Sequence, residues 1–176
     1  MNNITFDKEA QENLEKESIE WLRIWCEDTN NEELPRIALI GDSITEGYYN
    51  FVKEALKDIA CVDYLATSYS IASSAYREIV KSFINDSNYN IVHFNYGLHA
   101  YSVSDELYAS CCKELLQFIS SKAKTIVATT QKTPNVYSIL SPFVNLTMLF
   151  VFLFFMLSTN SFYYSKFSTA CSIIIF

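Results

Sequence analysis

Apolar and polar positions along residues 36–129 fall into a repeating order of short apolar runs and amphipathic stretches. Ile37 to Ile40 is an uncharged run stopped by Gly41, the pattern of a strand buried on both faces of a parallel sheet. Phe51, Val52, Ala55, Leu56 and Ile59 then recur at helical spacing and predict a helix over 48–59. Residues 60–66 read as a second strand, 67–75 as a small hydroxyl-rich loop, and 76–84 as a short helix. Residues 90–95 read as a third strand, 104–120 as a long helix with Ser104 as its N-cap and Asp105 and Glu106 in its first turn, and 123–129 as a fourth strand. Upstream, residues 6–28 place Leu14, Ser18, Trp21, Leu22 and Trp25 at intervals that predict a leading amphipathic helix, docked on the domain body or on a partner, before Asn30, Asn31 and Pro35 interrupt it.

Strands alternating with helices imply a parallel sheet covered on both faces, joined by right-handed crossovers. The expected fold class is therefore α/β, a flavodoxin-like three-layer sandwich. Strands of such sheets end at the crevice where α/β proteins bind ligands. That edge should carry Ser43, the loop 68–74 and Asn95. Ser43 falls where the first strand meets a helix whose free N–H groups could stabilise an oxyanion. The same turn also reads as a plain helix start, with Thr45 as N-cap, or with Asp42 capping the helix or orienting the turn.

Gly41-Asp42-Ser43-Ile44-Thr45 resembles the first motif block of the SGNH (GDSL-type) hydrolases, which are esterases and acylhydrolases. Trp25 with the segment from Pro35 to Tyr49, the segment from Asn90 to His99, Ser104 to Tyr108, and Ile126 to Thr130 are similar to successive segments of one bacterial subgroup. Together they span about residues 20–134. The resemblance implies Ser43 as nucleophile, with its own N–H as one oxyanion donor and the Asn95 side-chain amide as another. The family's second-block glycine is replaced here, and the resemblance puts Ala72 or Ser73 in its place as backbone donor. His99, in the loop after the third strand, is expected to contact substrate. His93, inside that strand, is expected to be a core histidine, and Asn95 has a plain alternative as a turn residue. The implied substrate is a small-molecule or carbohydrate ester, such as an O-acetyl group. No metal or organic cofactor is implied.

The chain departs from the family in one respect. The resemblance calls for a catalytic His in a final Asp-x-x-His block, yet no histidine follows His99 and no acid follows Glu114. Loss of the base typically costs about 10⁴–10⁶ in turnover, so an impaired or inactive enzyme is expected. The rival expectation is a non-catalytic, membrane-tethered binding module using the same cleft.

Charge sharpens this division. The 176 residues carry 20 acidic and 13 basic side chains, a net charge of −7, without the basic stripe that nucleic-acid binding requires. All the acids lie at or before Glu114, and from Asn135 onward Lys166 is the one charged side chain. The expected organisation is a leading helix over 1–34, an SGNH-hydrolase-like domain over 35–134 that is incomplete at its C-terminus, and an apolar tail over 135–176. Ile139 to Leu157 holds no charge over 19 residues, about 28 Å as a helix, close to the hydrocarbon thickness. A truncated or frameshifted reading, a membrane anchor and a remodelled core element all account for this tail. The five cysteines include an adjacent pair and no Cys-x-x-Cys, which is neither a disulfide framework nor a zinc site. With no secretory signal at Met1, the expected location is cytoplasmic, or membrane-associated through 139–157.

Overall fold

The computed structural model describes residues 16–95, 99, 103–129 and 172–175. Its strands are β1 (Leu22–Trp25), β2 (Arg36–Gly41), β3 (Cys61–Thr67), β4 (Ile91–Asn95), β5 (Lys124–Thr129) and β6 (Ser172–Ile175). Its helices are α1 (Ser43–Ala55), α2 (Ser74–Asp86) and α3 (Asp105–Ser120). The strands form one six-stranded sheet in the order β1-β3-β2-β4-β5-β6. The four central strands are parallel, and β1 and β6 run antiparallel at the two edges.

The period of two in β2 sorts its side chains between two cores. Ala38 and Ile40 point to one face, where they meet Leu65, Val92 and Phe94 and the buried positions of α2 and α3, among them Tyr76, Val80, Leu115 and Ile119. Leu39 points to the other, with Val62, Tyr64 and Ala66 of β3 and Tyr49 and Val52 of α1. The sheet is thus covered by α2 and α3 on one side and α1 on the other, an α/β arrangement compatible with a flavodoxin-like sandwich. From β2 the chain steps one way through α1 to β3, and later the opposite way through α3 on the opposite face. The two crossovers therefore share one hand, as the twist of parallel strands demands.

Two expectations are corrected. Residues 16–28 of the leading helix are not helical: Leu22–Trp25 is the edge strand β1, registered Leu22↔Thr67 and Trp25↔Tyr64 against β3. Pairing with β3 satisfies backbone groups that β3 would otherwise leave bare, and the aromatic and β-branched residues Trp21, Ile24 and Trp25 suit a pleated edge. Trp21 packs beside the α1-side core, but Trp25 is 55% exposed, so the two tryptophans do not share a docking face. The second correction is the start of α1. It begins at Ser43, five residues before the expected Tyr48, and of the two candidate caps, Thr45 and Asp42, it uses Asp42. The first turn was hidden because its buried member, Thr45, is polar.

The same helix ends at Ala55, four residues before the expected Ile59, and Ser172–Ile175 of the expected apolar tail forms edge strand β6. The other elements fall within one or two residues of expectation, including the Ser104 cap, whose Oγ accepts from the Leu107 N–H at 3.3 Å. Residues 6–15 of the expected helix and the candidate span 139–157 lie outside the described residues. Among the described residues no helix is long and apolar enough to cross a membrane.

Candidate functional site

Parallel pairing sets the depth at which each strand stops. Gly41 of β2 is level with Ala66 of β3, and Ile40 is level with Phe94 of β4. The chain segments leaving β3, β2 and β4 therefore emerge side by side from the C-terminal edge of the sheet. They carry Ser68 to Ser73, Asp42 with Ser43, and Asn95.

Each residue of the Gly41–Thr45 block has a distinguishable job. A Cβ at Gly41 would overlap Thr45 Oγ1 and come within 2.5 Å of the Asn95 carbonyl oxygen. Its φ is not positive, so glycine is needed here for space and not for backbone conformation. The absent side chain lets β2 and β4 close up beneath the turn. Asp42 is fully buried, and its Oδ1 accepts from the Ile44 N–H at 2.8 Å, closing the first turn of α1. Burial raises the Asp42 pKa; the capping bond from Ile44 and the nearby His99 act against that rise. Thr45, also fully buried, shares a 3.1 Å hydrogen bond with Tyr48 Oη. Ser43 differs from all of these: it is exposed, and its hydroxyl makes no hydrogen bond among the described residues.

The other expected site residues are placed as follows. Asn95 is 2% exposed, and its Oδ1 has no hydrogen-bond partner among the described residues. Ala72 is buried and its N–H donates to Ser70 Oγ at 3.3 Å, a long hydrogen bond. The Ser73 N–H is committed to a turn, donating to the Ser70 carbonyl at 2.9 Å, and Ser73 Oγ caps α2. Of the two backbone donors, Ala72 is the better placed to be released. His93 is a core residue as expected: burial lowers its pKa to about 4, and its Nδ1 lies 3.2 Å from Tyr48 Oη. His99 Nδ1 lies 2.5 Å from Glu17 Oε1.

Arg77 was not anticipated. It is 3% exposed, and its guanidinium donates to the carbonyls of Ile71 at 3.1 Å and Ala72 at 2.7 Å while pairing with Glu114 at 3.2 Å. A buried Arg with carbonyl and carboxylate partners is a fork that fixes backbone direction. It anchors the loop that carries the Ala72 N–H. The signal lay in its position, since Arg77 shares the buried stripe of α2 with Val80 and Ile84.

Among the described residues no group of three or more His, Cys, Asp or Glu side chains converges as a metal site. A polar concavity lined by Ile84, Asn85, Ser87, Asn88, Tyr89 and Lys122 lies at the opposite, N-terminal end of β4 and β5, away from Ser43. Compared with known proteins, the chain is matched by no family model and by no curated relative.

Proposed function

We propose that the chain is a serine ester hydrolase of the SGNH/GDSL type, acting on a small-molecule or carbohydrate ester such as an O-acetyl group. One observation carries this reading. Within Gly41–Thr45, Gly41, Asp42 and Thr45 are buried and engaged in the turn, whereas Ser43 is exposed and uncommitted. A serine kept only to start a helix would be expected to cap it, and Asp42 already does so.

In the proposed reaction, Ser43 Oγ attacks the ester carbonyl. The oxyanion is met by the Ser43 N–H at the start of α1, by the Ala72 N–H, and by the Asn95 side-chain amide. Donors fixed in advance at a partly dry edge are worth about 2.7–4 kcal/mol each in comparable sites. The rate then depends on which base takes the Ser43 proton.

The test is hydrolysis of p-nitrophenyl acetate by the purified chain and by Ser43→Ala. The expected result is release of p-nitrophenolate above the buffer rate, lost in the variant. Equal rates for the two proteins would sink the hydrolase reading and leave a cleft that only binds.

A further inference from the structure

The sheet order separates β3 from β4 by one strand, β2. Two interstrand spacings, about 10 Å, lie between them. The chain preceding β1 emerges beside the end of β3. Leu22 is level with Thr67, the Trp21 N–H donates to Ser68 Oγ at 2.9 Å, and the Trp21 carbonyl accepts from the Ser68 N–H at 3.2 Å. Glu17 lies four residues further back. His99 lies four residues beyond the end of β4. Yet Glu17 Oε1 and His99 Nδ1 meet at 2.5 Å. β2, whose end carries Asp42 and Ser43, is the strand that lies between the two from which the pair departs.

The bond also selects the tautomer. A carboxylate on Nδ1 holds the proton there, leaving the Nε2 lone pair as acceptor. His99 Nε2 is shielded from solvent and has no hydrogen-bond partner among the described residues. An imidazole with one nitrogen fixed by a carboxylate and the other without a partner has two parts of a general base; the third, a hydrogen bond from Ser43 Oγ, is not made in this structure and would have to form with substrate bound. His93 does not compete for the role, being buried, on the α1 face of β4, and engaged by Tyr48.

We propose that His99 is the general base for Ser43 and that Glu17 is the positioning residue that orients it. The proposal rests on the hydrolase reading above and supplies the base which that reading leaves open. As Ser43 Oγ forms its bond to the ester carbonyl carbon, its proton passes to His99 Nε2 and the carbonyl π pair moves to the oxyanion. Collapse of that intermediate breaks the bond to the alcohol oxygen, which leaves with the proton from His99. Water then attacks the acyl-Ser43 carbonyl, giving its proton to His99. The second collapse returns that proton to Ser43 Oγ and releases the carboxylic acid. Ester and water are consumed, acid and alcohol are formed, and no other reactant is needed.

The experiment is steady-state hydrolysis of p-nitrophenyl acetate by the full chain and by Ser43→Ala, His99→Ala, Glu17→Gln and Glu17→Asp, with and without added imidazole. The expected result for His99→Ala is a fall in kcat of about 10²–10⁴, partly restored by imidazole, which a damaged fold would not show. Glu17→Gln is expected to lower kcat about tenfold or more with KM held, and Glu17→Asp to recover part of the loss. Full activity in His99→Ala, or a loss that imidazole does not restore, overturns the base assignment while a Ser43-dependent rate keeps the hydrolase reading standing. An unchanged kcat in Glu17→Gln removes Glu17 from the proposal. No Ser43-dependent rate in the unmodified chain overturns both.

Discussion

At the N-terminal end of the parallel strands, the fully buried Asp63 is bonded on both oxygens, while at the C-terminal end several shielded polar atoms stand open. Asp63 accepts from Arg36 Nη1 at 2.9 and 2.8 Å, from the Tyr89 hydroxyl at 3.0 Å and from the Glu27 N–H at 3.2 Å. Arg36 donates in turn to the carbonyls of Glu27 at 3.1 Å and Asp28 at 2.5 Å, which ties the turn after β1 to the sheet. Asn90 bridges the same end, accepting from the Arg36 N–H through Oδ1 at 2.8 Å. At the other end, Asp42 Oδ2, Asn95 Oδ1 and His99 Nε2 have no partner among the described residues. The Tyr49 hydroxyl, between the sheet and α1, is a further open atom that belongs to neither set. Leaving a buried polar atom unmet costs about 1–3 kcal/mol, so a cluster of three at one strand edge calls for a reason. All three are acceptors, so a ligand that brings hydrogen-bond donors to that edge would meet them.

The comparison can be broken most severely at its closed end. Asp63→Ala leaves the Arg36 guanidinium buried without its carboxylate, and a loss of about 3–5 kcal/mol is expected. Urea unfolding reads it, and Ser43 reactivity in the protein that remains folded should be unchanged. A loss under about 1 kcal/mol would show that the network is not closed as described. At the open end, Gly41→Ala forces a Cβ against Thr45 Oγ1 and the Asn95 carbonyl, with an expected cost of about 1–3 kcal/mol. Because β2 and β4 must part to admit it, Ser43-dependent hydrolysis should fall by more than the unfolded fraction explains.

The smallest effect is the most diagnostic of charge. Asp42 is raised by burial above its unfolded pKa of about 3.8. Between the unfolded and folded values the native state binds more protons than the unfolded one, so stability falls as pH rises through that window. Above it the cost of the buried charge is fully present. Asn keeps an oxygen for the Ile44 N–H and caps as well as Asp. Asp42→Asn should therefore unfold at a slightly higher urea concentration at pH 7, the gap narrowing as pH falls through the carboxylate range. A variant less stable than the parent at pH 7 would mean that the Asp42 charge is compensated.

The parallel core was legible because its strands are short, mainly apolar runs (Asp63 inside β3 excepted) ended by Gly41 or by polar residues, and its helices bury stripes of ordinary width. Edge strand β1 was not. Trp21, Leu22 and Trp25 fit a helical face as well as a pleated edge, and only the pairing with β3 decides between them. That error concealed the Glu17–His99 contact, which spans 82 residues of sequence and depends on β1 running antiparallel to β3. Strand ends alone put Ser43, the loop 68–74 and Asn95 on one edge; Ala72 within that loop, and the donor role of Asn95, were implied only by the resemblance. Arg77 was overlooked because a charged residue in a helical stripe reads as surface until a half-buried carboxylate and two carbonyls are found around it.

The central claim is that Ser43 is a reactive nucleophile and not a helix-start serine. It is tested most directly by treating the chain with a fluorophosphonate and locating the adduct by peptide mass. The account predicts one modification, on Ser43, absent in Ser43→Ala, whose stability should differ from the parent by less than about 0.5 kcal/mol. An unmodified Ser43 under conditions that label a serine hydrolase of known activity would contradict it.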